Sequence, residues 1–225
     1  MVGKRRSSLM DRYLDPATSL AEVLFGLIMT LTFTLGAGII IEDEGREGAR
    51  ELLIALIGCN LAWGIIDAAM YLVGVLFDRG RKRRVAQAVR ACADDASATA
   101  VVAGELDELL GDVVSAAERQ SMYARIANHL RTRQDGTVAL HKADLLGAFT
   151  SFWLVVLSSV PAAVPFLLFD DARLALRTSN AVLLVLLFAT GSAWSRYTMG
   201  KPWLVGLCFL VGGAALVAVA IALGG

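Results

Sequence analysis

Residues 52–77 read LLIALIGCNLAWGIIDAAMYLVGVLF, and this stretch decides the fold. It carries one charged side chain, Asp67, among 26 residues. As an α-helix rising 1.5 Å per residue it would reach about 39 Å, enough to cross roughly 30 Å of hydrocarbon. Four more stretches meet the same criterion: 20–41, 145–169, 180–194 with its flanks, and 203–223. A bilayer core offers no water to unpaired backbone groups, so each such segment must satisfy its own hydrogen bonds as a helix. The expected fold is therefore all-α and polytopic, with five transmembrane helices.

Composition agrees. Of 225 residues 56% are hydrophobic, although 21 basic and 21 acidic residues are also present, and mean hydropathy is +0.62. With only 4 Pro and 3 Cys, disordered, collagen-like and disulfide-scaffold classes are excluded. A net charge of zero argues against a generally basic nucleic-acid binder. Charged and apolar residues are segregated into a cytoplasmic N-terminal arm (1–19), helices one and two (20–77), a polar insert (78–144), and helices three to five (145–225). A secretory signal peptide would need a shorter apolar core than the first span offers.

Lys and Arg collect on the cytoplasmic side of short loops. Lys4, Arg5, Arg6 and Arg12 precede the first span. Arg79, Arg81, Lys82, Arg83 and Arg84 follow the second. Between these spans, Glu42, Asp43, Glu44, Glu47 and Glu51 outnumber Arg46 and Arg50 in an expected loop. This alternation places the N-terminus inside and, after five crossings, the C-terminus outside. The basic cluster is either a topology determinant alone or also a contact for anionic lipid headgroups.

The insert lacks proline, and its apolar residues recur at helical spacing: Val85, Val89 and Cys92, then Leu106, Leu110 and Val113, then Met122, Ile126 and Leu130. Three amphipathic helices are expected, broken near Gly104 and Gly111 and closed by the turn Gln134-Asp135-Gly136. Glu105, Glu108 and Asp112 fall at i, i+3 and i+7 on one helix face. Three carboxylates so placed can ligate a divalent cation, or simply form a solvated face.

Ionisable groups inside a span are costly and point to a pathway or a binding site. Asn60, Trp63, Gly64, Asp67, Met70, Tyr71 and Gly74 make one stripe of the second span, with Asp67 about 15 Å from its cytoplasmic end. Glu22, Gly26, Met29, Thr30 and Phe33 make a stripe of the first, and counting residues puts Met29 at a depth similar to Asp67. Carboxylate with thioether sulfur suits a borderline ion such as Fe²⁺. A carboxylate at that depth can also take up and release a proton. The alternative role for Asp67 and Asn60 is interhelical hydrogen bonding that fixes the bundle, with Gly26 and Gly64 allowing close approach. Pro161 and Pro165 either break the third span or mark its outer end.

Five spans with a helical insert after the second resemble the vacuolar iron transporter family. Phe25-Gly-Leu-Ile-Met29 is similar to that family's first-helix segment. Pro161-x3-Pro165-Phe166, Ser179 and Leu187-Phe188 are similar to its third and fourth helices. The resemblance implies a homodimer that exports Fe²⁺ or Mn²⁺ from the cytosol by proton exchange, along a path between the first two helices. The chain departs where the family has an acid before Gly-Leu, since Phe25 stands there and Glu22 is the nearest acid. In Asp67-Ala-Ala-Met70-Tyr71 the order of acid and sulfur is reversed, and the insert lacks dense Glu pairs.

The sequence thus predicts a metal-ion transporter with Asp67 as central ligand and proton site and Glu22 as the cytoplasmic-end acid. Met29 and Met70 would be soft contacts, Asn60 a further ligand, and Glu105, Glu108 and Asp112 collecting residues. The ion is substrate; no prosthetic group is expected. A different class, a non-transporting membrane scaffold whose insert binds a partner, uses Asp67 structurally. No Ser/His/Asp, HExxH or phosphate-loop pattern suggests an enzyme.

Overall fold

The computed structural model describes residues 16–36, 38–110, 113–133 and 137–223. They form helices α1 (Pro16–Gly36), α2 (Gly38–Ala91), α3 (Asp95–Leu110), α4 (Ala116–Thr132), α5 (Lys142–Leu168), α6 (Ala172–Thr198) and α7 (Pro202–Ala222). No strand occurs among the described residues. Five helices (α1, α2, α5, α6 and α7) are long and apolar enough to cross a membrane. The fold is that of an all-α, multi-pass membrane protein.

Two compact units divide the chain. The first contains α1, α2 as far as Tyr71, and α5 to α7. Here α1 packs against α5, α6 and α7, α5 against α6, and α6 against α7. Leu27, Leu31, Ala162, Leu183, Leu187 and Val217 form the buried core. Lipid tails are as apolar as leucine, so close packing and interhelical hydrogen bonds hold such a core. Ser179 Oγ supplies one, donating to Ala162 O across α6 and α5 at 2.8 Å. Asp171 caps α6, accepting from the amides of Arg173 (2.9 Å) and Leu174 (3.3 Å).

Close approach is built into α1 and α2. A Cβ on Gly26 would overlap Ser158 Oγ of α5 and lie 2.9 Å from Val155 O. A Cβ on Gly64 would lie 2.9 Å from the Phe152 ring and 3.1 Å from its carbonyl oxygen. Hydrogen thus stands where any side chain would wedge α1 or α2 away from α5.

The acidic stretch after the first span is helical instead of a loop. Helical structure runs from Gly38, with one interruption at Gly45 (φ 59°, ψ −121°), a left-handed geometry that glycine adopts without a Cβ penalty. The prolines of α5 do not break it either. The helix continues through Pro161 and Pro165 to Leu168, and Phe169 N closes the last turn on Pro165 O at 3.0 Å. Span four is longer than its apolar core, because Ala172–Thr198 takes up both flanks.

The second unit is Leu72–His141, beginning six residues before the polarity change at 78, because α2 does not stop where hydrophobicity does. Three helical segments are present, as the periodicity predicts, but the first is the continuation of α2. Its break falls at 92–94, while Gly104 lies inside α3. Gln134-Asp135-Gly136 and Gly111 lie outside the described residues. Val89, Ala98, Val102, Tyr123 and Ala127 form the core. In water, each fully buried valine contributes roughly 1.5–3 kcal/mol. Arg131 closes the unit, donating to Cys92 O (3.0 Å) and Asp94 O (2.7 Å) and pairing with Asp95.

Asp94 caps α3, accepting from Ser97 N at 2.7 Å and Ser97 Oγ at 3.0 Å. These bonds hold its carboxyl below the ordinary 3.8. A lowered folded value means stabilisation present above 3.8 and lost as pH falls through the lower folded value. Asp94→Ala will therefore speed hydrogen exchange at the start of α3 at neutral pH, and this difference from the native chain will vanish in acid. Gly26→Leu will lower the thermal midpoint in detergent by the equivalent of about 1–3 kcal/mol, the usual cost of overpacking.

Candidate functional site

Helices α1 and α2 run antiparallel, and three contacts fix their register. The carboxyl groups of Glu22 and Asp67 face each other within hydrogen-bonding reach. The rings of Phe25 and Trp63 meet edge to face, centroids 5.4 Å apart. Asn60 Nδ2 donates to Thr30 Oγ1 at 3.3 Å. The numbers of the paired residues add to nearly the same total each time, as one antiparallel seam requires. Along α1 and α2, the acid level and the Asn60 level are about 10–12 Å apart.

At the acid level α5 contributes Ser151, fully buried, whose Oγ donates to Glu22 Oε1 at 2.9 Å. Asp67 Oδ2 is buried without a hydrogen-bond partner. Two carboxylates offer only acceptors, so they cannot satisfy each other. Two full negative charges 4 Å apart repel by about 4 kcal/mol even at an effective dielectric of 20. A proton shared between them, or a cation bound by both, removes that repulsion.

At the second level Asn60 is fully buried, as are Thr30 and Thr34. Asn60 Nδ2 spends its hydrogens on Leu56 O (3.0 Å) and Thr30 Oγ1 (3.3 Å). Thr30 in turn donates to Gly26 O at 2.7 Å. Turning the amide over would set its oxygen against Leu56 O, so its orientation is fixed. Asn60 Oδ1 is left buried with no partner, a condition that costs about 1–3 kcal/mol. Between the two levels lie Gly26, Gly64, Phe25, Trp63 and Phe152, an apolar layer.

The structure thus brings together Asp67 and Glu22, and holds Asn60 further along the seam. Met29 is half-buried, and the register puts it level with Asn60 instead of Asp67. Met70 is 61% exposed, turned out of the α1–α2 seam. In the second unit, Glu105 pairs with Arg81 at 2.8 Å and Glu108 is exposed. Asp112 lies outside the described residues. Among the described residues no three His, Cys, Asp or Glu side chains are grouped to hold a metal ion.

Ser151 is the residue that sequence reading passed over. Its signal is the small-residue face Gly147, Ser151, Ser158 and Ala162, all buried, on α5. A further cavity of about 380 Å³ lies at the Gly45 end of the first unit, lined by Arg46, Arg50, Leu53, Phe166 and Asp170 among others. Arg46 and Asp170 form a 2.6 Å ion pair at its exposed rim. Compared with models of known protein families and with curated proteins, the sequence matches none.

A structural hydrogen-bonding partner and a charge-bearing functional acid respond oppositely to an amide. Asp67→Asn supplies donors to Glu22 and removes one charge. We expect it to raise thermal stability in detergent at neutral pH, by the equivalent of roughly 1–3 kcal/mol. A fall in the melting midpoint would make Asp67 a structural group.

Proposed function

We propose that the chain is a membrane transporter of divalent transition-metal cations, Fe²⁺ or Mn²⁺ in class, that exchanges the ion for protons at Glu22 and Asp67. The observation that carries this reading is the facing pair of acids between two membrane-spanning helices. The pair is neutralised by one cation or by protons, so binding one expels the other. With Met70 turned away and Met29 at another level, the donors at the pair are oxygens (Glu22, Asp67 and Ser151), which favours Mn²⁺ over softer ions. Ser151 orients Glu22 by donating to it, as supporting groups do around a metal.

The basic arm and the cluster after Asp78 support an N-terminus in the cytosol and a C-terminus outside. Export from the cytosol and a homodimer follow from the resemblance to the vacuolar iron transporters. A second copy would meet the outward face of α2, where Ile66 and Met70 are exposed.

The test is Mn²⁺ uptake into proteoliposomes with and without a pH gradient. The native protein should move Mn²⁺ faster when protons run the opposite way, and Asp67→Asn and Glu22→Gln should each cut uptake roughly 10- to 100-fold. A native protein that moves none of Fe²⁺, Mn²⁺, Co²⁺ or Zn²⁺ would remove the transporter reading in favour of the scaffold.

A further inference from the structure

The function proposed above uses the acid pair and leaves the buried carboxamide of Asn60 unexplained. Asn60 is fully buried, both of its amide hydrogens are committed, and its carboxamide oxygen has no partner. Native interiors rarely leave such an acceptor bare, and where they do, water or an ion commonly supplies the contact. Its place on α2 is also ordered. Asp67, Asn60, Leu53 and Arg46 recur at seven-residue intervals, so they lie on nearly one face of the helix. Leu53 and Arg46 line the cavity at the Gly45 end. One stripe of α2 therefore leads from the acid pair, past a bare buried oxygen, to an open cavity.

We infer that this stripe is the route of the ion, with the Asn60 carboxamide oxygen as a second, uncharged station between the acid pair and the cavity. The inference rests on the transport reading and adds the uncharged station at Asn60 with its outlet at the cavity. A neutral oxygen can replace one water of a partly hydrated cation without the grip of a carboxylate. Conduction needs sites of this kind, favourable enough to enter and weak enough to leave. Thr30 sets the station by accepting from Asn60 Nδ2, which keeps the carbonyl oxygen from turning toward Leu56 O. Phe25, Trp63 and Phe152 form the apolar layer the ion must pass, so the route opens only when the α1–α2 seam loosens.

Two measurements test the route, one of them independent of transport. In proteoliposomes Asn60→Leu should leave the Mn²⁺ concentration for half-maximal uptake within about twofold of native, while the maximal rate falls about tenfold or more. Thr30→Val should lower the rate in the same direction but less. A purely structural role would alter stability in detergent and leave the maximal rate of folded protein unchanged. Separately, Asn60→Cys in a chain carrying Cys59→Ser, Cys92→Ser and Cys208→Ser should react with a membrane-impermeant methanethiosulfonate, more slowly when Mn²⁺ is present. Native turnover in Asn60→Leu, or a Cys at this position that never reacts or ignores Mn²⁺, would overturn the route. If the native chain moves no ion while Mn²⁺ still protects this Cys, the transport reading fails and the cation station stands.

Discussion

The acid pair and the seam around it depend on how closely α1 and α2 lie against α5. At Gly26 the space for a side chain is already filled by Ser158 and Val155, and at Gly64 by Phe152. Lipid supplies no hydrophobic force to press helices together, so the contact exists because shapes fit and hydrogen bonds cross it. That fit sets the rotation of α1 and α2 about their own axes. Rotation in turn decides which side chains meet in the seam and which face outward.

The site is a consequence of that rotation. With Gly26 and Gly64 turned toward α5, Glu22 and Asp67 come to face each other and Ser151 comes within reach of Glu22. The same rotation turns Met70 out of the seam. An acid pair so placed is electrostatically unfinished, since two carboxylates cannot satisfy each other without a proton or a cation between them. The second unit is built on different physics. Its small core of Val89, Val102 and Tyr123 is buried against a charged exterior, and Arg131 ties the end of α4 to the turn after α2. Its acids are engaged or solvated: Glu105 with Arg81, Asp107 with the Tyr123 hydroxyl, Glu108 in the open.

Much of this was legible in the chain. Five apolar runs, a polar helical insert and the cost of Asp67 in a span are properties of local composition, and a helix long enough to cross a bilayer follows from about 20 such residues whatever its neighbours do. Periodicity also placed Asn60, Trp63, Gly64, Asp67 and Tyr71 on one stripe, but the stripe read from sequence was too wide, since it took in Met70 at its edge. Helix ends were less legible. The acidic stretch near Glu47 reads as a loop by charge, yet it is helical because helix formation tolerates charge where solvent can reach it.

What the sequence determined by itself was the class of molecule and the presence of an ionisable group that lipid would not accept without a reason. Only the tertiary structure decided that Glu22 is the partner of Asp67, that Ser151 supports it from a helix 129 residues away in sequence, and that Asn60 keeps a bare oxygen. Span and depth come from hydrophobicity, which each segment carries alone. Facing and register come from steric fit between helices far apart in the chain, and no single segment contains that information.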